Sequence, residues 1–120
     1  MAVGWNKEQA ARVLGAMAAH PLTSARCEHC AIEIRVVGLE VDPETHCLSV
    51  RPVGREPCLK VNPKADLHGE WWYYHFTTNV SAHCVDVLTL VPGTEVTRYL
   101  DTHWKYPDAL EMTREEPVDD

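Results

Sequence analysis

The sequence predicts an α+β domain in which N-terminal helices pack on a small antiparallel sheet, followed by a C-terminal helix and an acidic tail. Three observations carry this. Apolar residues recur at helical spacing up to about residue 38, and short β-branched and aromatic runs follow "VDPET" (41–45). A last helical stretch, "TEVTRYLDTHW" (94–104), comes after Pro92-Gly93. The first helix is expected over 5–19, with Trp5, Ala10, Val13, Leu14 and Met17 on one face, Asn6 as N-cap and Pro21 beyond its end. A second starts near Ser24–Cys27, carries Cys30, Ala31 and Ile34, and ends near Gly38. Its Ile32, Ile34, Val36 and Val37 also suit a strand.

Strands are expected at "HCLSVRPV" (46–53), "CLKV" (58–61), "WWYYHFTTNV" (71–80) and "HCVDVLTL" (83–90), with 62–70 as loop. Thr94 is the expected N-cap of the closing helix. Residues 1–110 read as one domain, and "EMTREEPVDD" (111–120) as a disordered or loosely draped acidic tail.

A formal charge of -7 argues against nucleic acid, which needs concentrated Lys and Arg. No apolar run is long enough for a membrane span, and the N-terminus has no signal-peptide pattern. Five cysteines, at 27, 30, 47, 58 and 84, then suggest free thiols in a reducing cytoplasm.

The last two strands form the most informative pair. A symmetric loop, either Val80-Ser81 or the longer 79–82, places His75 opposite Asp86. Tyr73, His75 and Thr77 then share a face with Cys84, Asp86 and Leu88, and a one-residue slip would destroy the couple. A carboxylate against an imidazole orients the ring and supports its protonated form. The missing nucleophile is offered by "ARCEHCAIEI" (25–34), because a cysteine at a helix N-terminus is expected to have a lowered pKa. The same Cys-x-x-Cys has other readings. A zinc knuckle needs a second pair, and Cys47, Cys58, His83 and Cys84 supply one only at long range. A redox pair belongs directly after a strand, whereas a helix and Pro21 come before this one. No metal or cofactor is therefore expected. Cys30, Cys47, Cys58 and Cys84 also suit plain packing, and His29, His46, His68, His83 and His103 are expected at the surface. The "WWYY" run packs as core and rim, with Trp71, Trp72 and Tyr74 as candidate walls of a substrate cleft.

Taken together, "RCEHCAIEI", "WYYHFTTNV" and "CVDVLTLVPG" resemble the papain-like cysteine hydrolase fold, and most closely the small papain-fold toxin domains of bacterial polymorphic toxin systems. The resemblance spans residues 27 to about 93. It implies Cys27, or alternatively Cys30, as nucleophile, His75 as base and Asp86 as orienter. Two departures stand out: Tyr73 replaces the glycine two before the histidine, and Thr23, Ser24 and Arg26 stand where an oxyanion donor would be. The implied activity is attack on an amide or acyl carbonyl through a thioester, as in a peptidase, amidase, deamidase or acyltransferase. The substrate would be a protein, a peptide or a small amide, and an immunity-type protein is an implied partner. The alternatives are a catalytically silent binding module of the same fold and a structural zinc-binding domain.

Overall fold

A computed structural model describes residues 2–21, 27–55, 61–64 and 73–118. The chain order is α1 (Lys7–Ala19), α2 (Cys27–Val41), β1 (His46–Pro52), β2 (His75–Val80), β3 (His83–Val85), β4 (Thr94–Glu95), α3 (Val96–His103) and β5 (Leu110–Arg114). The five strands form one antiparallel sheet in the order β4-β3-β2-β1-β5. The α+β expectation therefore holds.

Helix α1 starts as its sequence dictates. Asn6 accepts the Gln9 amide at 2.8 Å while the Gln9 side chain accepts the Asn6 amide at 3.0 Å, a reciprocal cap that satisfies two otherwise orphaned donors. Its buried stripe is Val13, Ala16 and Met17. The β-branched residues of α2 remain helical because Ile34 and Val37 sit one turn apart, facing the sheet with Cys30, Ala31 and Gly38. Gly38 does not end the helix, which runs on to Val41. A Cβ there would meet Thr45 Cγ2 and Val80 Cγ2, each at 2.8 Å, so this glycine is required by close approach of the helix to β2.

The β2–β3 turn is tighter than expected. It consists of Ser81 and Ala82, with φ of 50° and 62°, the left-handed pair that matches strand twist in a two-residue hairpin. Thr78 thus pairs with Val85, Asn79 with Cys84 and Val80 with His83. The ladder is displaced by two residues from the expected register, so the line of β3 carries Asp86 past Thr77, with His75 on the diagonal. A displacement of two preserves the face, and that parity is what keeps His75 and Asp86 on one side.

Strand β3 also stops at Val85, well short of residue 90. Asp86 Oδ1 accepts the amides of Leu88 and Thr89 at 2.8 and 3.1 Å, and Thr89 Oγ1 receives the Asp86 amide at 3.0 Å. These local side-chain bonds replace the ladder with a turn that carries Leu90 at φ 63° and Gly93 at φ 80°. Thr94 does not cap α3: it lies in β4, and its hydroxyl meets His103 Nε2 at 2.7 Å. Of the expected 58–61 strand, only Val61 falls within the described residues, where it is buried.

The acidic tail needs correction. Residues 110–114 form edge strand β5 against β1. Beyond it, Glu115 is bound by Arg51, with Nη2 at 2.7 Å, and by the Ser49 hydroxyl at 2.9 Å. Glu116 pairs with Arg35 and takes the Cys47 amide at 3.2 Å. Four described donors thus hold the segment that composition alone assigned to disorder.

Alternation along β2 divides the interior. Phe76, Thr78 and Val80 face α2, where Thr78 Oγ1 donates to the Ala31 carbonyl at 2.9 Å. His75 and Thr77 face the opposite core, formed by Leu48, Val50, Cys84, Tyr99, Trp104 and Leu110.

Candidate functional site

The end of the β2–β3 hairpin brings His75 and Asp86 together. His75 opens β2, and the turn that ends β3 presents Asp86. His75 Nε2 lies 3.2 Å from Asp86 Oδ2, with the two side chains 1% and 5% exposed, so water does not compete for the contact. The ring leans on Trp104, with centroids 5.3 Å apart. Asp86 Oδ2 also accepts the Tyr99 hydroxyl at 2.6 Å, while Oδ1 takes the two turn amides. Burial alone would raise the Asp86 carboxyl. The hydrogen bond and charge of His75, then the bonds from Tyr99 and Thr77, outweigh it and hold the group at about 2. Asp86 is therefore an ionised, fully bonded buried carboxylate. Tyr99 is pushed far up by burial and by the Asp86 charge, so its phenol remains a donor.

The thiols are arranged differently. Cys27 is the first residue of α2, as expected, and is half-buried. Its sulfur donates to Glu28 Oε1 at 3.0 Å. Burial, then that bond and the Glu28 charge, drive the thiol well above its ordinary range, although a hydrogen bond from the Phe76 backbone opposes them. The helix-terminus effect expected to lower its pKa is overridden. Cys30 points into the core beneath α1 and α2 and is pushed up to about 12, by burial first and then by Asp86 and Glu33. Cys47 is likewise raised to about 12, and burial lifts Cys84 further. All four described cysteines are free.

The site residues thus divide into two groups. His75 and Asp86 are joined, whereas neither Cys27 nor Cys30 hydrogen-bonds the His75 ring. The ring sits on the Trp104 side of β2, and Cys27 on the α2 side with Ala31, Cys47 and Phe76. Yet the Cys27 sulfur reaches the amide of Phe76, whose nitrogen is bonded to the carbonyl carbon of His75. The Cys27 sulfur is therefore one peptide from the His75 backbone at the same end of the sheet, although the two side chains lie on opposite faces of β2. Tyr74, a candidate cleft wall, is half-buried. Its hydroxyl donates to Glu28 Oε2 at 3.2 Å, and the Arg51 guanidinium lies 4.8 Å above its ring. Trp71 and Trp72, like Thr23, Ser24, Arg26, Cys58 and His68, lie outside the described residues.

Sequence reasoning missed two participants. Glu28 was in plain view inside the cysteine motif. Tyr99 had a subtler signal: Val96, Tyr99, Leu100 and His103 recur at helical spacing, and a buried phenol needs an acceptor. The surface assignment fails for His83, which is 7% exposed and bonds the Ser81 carbonyl; His103, bonded to Thr94, and His29, stacked on His20, are half-buried.

Among the described residues, no three His, Cys, Asp or Glu side chains are arranged to hold a metal ion. No described helix is long and apolar enough to cross a membrane. Comparison with family models, with curated proteins and with solved structures finds no match to this chain.

Proposed function

We propose that this protein is a papain-like cysteine enzyme acting on an amide or acyl carbonyl, with Cys27 as nucleophile, His75 as base and Asp86 as orienter. The observation that carries the proposal is the buried 3.2 Å contact between His75 Nε2 and Asp86 Oδ2, with the Cys27 sulfur hydrogen-bonded to the peptide that follows His75. The present arrangement is then a resting one. The thiol is protonated and bonded to Glu28 on the opposite side of β2 from the ring, so catalysis requires the start of β2 to rearrange until sulfur and imidazole meet.

His75 then takes the thiol proton, and the sulfur attacks the carbonyl carbon to give a tetrahedral adduct. The carbon–nitrogen bond breaks, the departing amine takes the proton from His75, and a thioester remains. Water, deprotonated by His75, releases the acid and returns the thiol; an amine in its place gives acyl transfer. Free thiols suit a reducing compartment, such as the cytoplasm of the producing cell or of a target cell. An immunity-type protein partner belongs to the same proposal.

A second reading, the catalytically silent binding module, is favoured by the Cys27–Glu28 bond and the resulting protonated thiol. Iodoacetamide labelling of the native chain at neutral pH, mapped by mass spectrometry, separates the two. The enzyme reading expects Cys27 to be labelled far faster than the other cysteines, and expects His75→Gln to abolish that advantage. Slow labelling at every cysteine would establish the silent module and end the catalytic proposal.

A further inference from the structure

We infer that Tyr99 is a positioning residue of the His75–Asp86 pair, anchoring the carboxylate oxygen that receives the imidazole and setting how strongly that oxygen holds a proton on the ring. The inference deepens the catalytic proposal and rests on it for its consequence in turnover, though not for its test. Asp86 Oδ2 meets both the Tyr99 hydroxyl, at 2.6 Å, and His75 Nε2, at 3.2 Å. The shorter bond is the stronger one, and a carboxylate oxygen that receives a close hydroxyl has less charge to offer a second donor. Tyr99 therefore loosens the hold of Asp86 on the imidazole proton. A base that must accept a proton from a thiol and then give it to a leaving group needs such an intermediate hold.

Geometry assigns this task to Tyr99 and not to its neighbours. The two turn amides occupy Oδ1, so they fix the carboxylate plane without contacting the oxygen shared with His75. Thr77 hydrogen-bonds the carboxylate from β2. The remaining titratable groups around Asp86 are Cys84 on β3, Cys30 on α2 and His103 on α3. The cysteines are protonated throughout the neutral range, and burial holds His103 towards its uncharged form. Tyr99 itself is fixed by its ring contacts with His103 and Trp104, at centroid distances of 5.5 and 6.4 Å. It enters from a different element than His75, so it can constrain Asp86 independently of the hairpin.

The test is a pH titration of the His75 ring by nitrogen-detected NMR of the full chain, with the resonance assigned by its loss in His75→Gln. Tyr99→Phe keeps the ring packing and removes only the hydroxyl. The His75 midpoint is expected to rise by about one pH unit, because the imidazole no longer shares Oδ2 with the phenol. Fluorination of the Tyr99 ring strengthens the phenol as a donor and is expected to move the midpoint downwards, and this variant needs no change of fold. A midpoint within about 0.2 pH units of wild type in both proteins, or a shift of the same sign in both, would overturn the inference. If the midpoints move as expected while Cys27 is labelled slowly at every pH, the inference stands and the catalytic proposal falls.

Discussion

Replacing Asp86 tests the site and the fold together. Asp86→Ala removes the acceptor of two buried donors, His75 Nε2 and the Tyr99 hydroxyl, and of the half-buried amides of Leu88 and Thr89. Stranding one buried donor costs about 1–3 kcal/mol, and two are stranded here. A loss of about 4 kcal/mol is therefore expected, a large share of the roughly 5–15 kcal/mol that holds a domain of this size together. Asp86→Asn keeps the amide acceptor for the turn and should lose about half as much. Urea denaturation at pH 7 measures both. The acid limb supplies a second magnitude. The carboxyl is lowered from its ordinary 3.8 to about 2, so its stabilisation is fully present above pH 4 and is lost as pH falls towards 2. The amount is about 2 kcal/mol, and Asp86→Asn should abolish that pH dependence. A loss below about 1 kcal/mol for Asp86→Ala, with an unchanged acid limb, would refute the description of Asp86 as a buried, fully bonded charge.

Two further substitutions probe the surroundings. Glu28→Gln removes the charge that helps to keep the Cys27 thiol protonated, so alkylation of Cys27 at neutral pH should accelerate about three- to tenfold, a rate unchanged from wild type being the contrary result. Ala82→Gly relieves a left-handed backbone at φ 62° and should stabilise the chain by about 0.5–1 kcal/mol in the same urea assay; destabilisation would mean the turn is not left-handed there.

These expectations also show which parts of the structure the sequence made legible. The α1 cap was readable because Asn6 and Gln9 are local partners whose geometry depends on no distant residue. The His75–Asp86 contact was found through an incorrect register, because side-chain direction along a strand survives a displacement of two. The turn was misjudged since Ser81 and Ala82 lack the glycine or asparagine that usually announces left-handed backbone. β3 was drawn too long because β-branched composition does not reveal that Asp86 and Thr89 bond their own backbone. The tail was misread for a related reason: composition counts acidic residues but not the arginines of α2 and β1 that folding brings to them. Cys27 illustrates a competition of magnitudes, in which burial and the adjacent carboxylate overcome a helix terminus that the sequence did place correctly.

The strap formed by Glu115 and Glu116 has a practical consequence. Among the described residues β5 pairs with β1 alone, so whatever pins its far end also protects its outer row of peptide groups from pairing with another molecule. Shortening the chain before residue 115, or neutralising Arg35 and Arg51, would release that border strand and favour self-association. Affinity handles for purification are accordingly better placed at the other terminus.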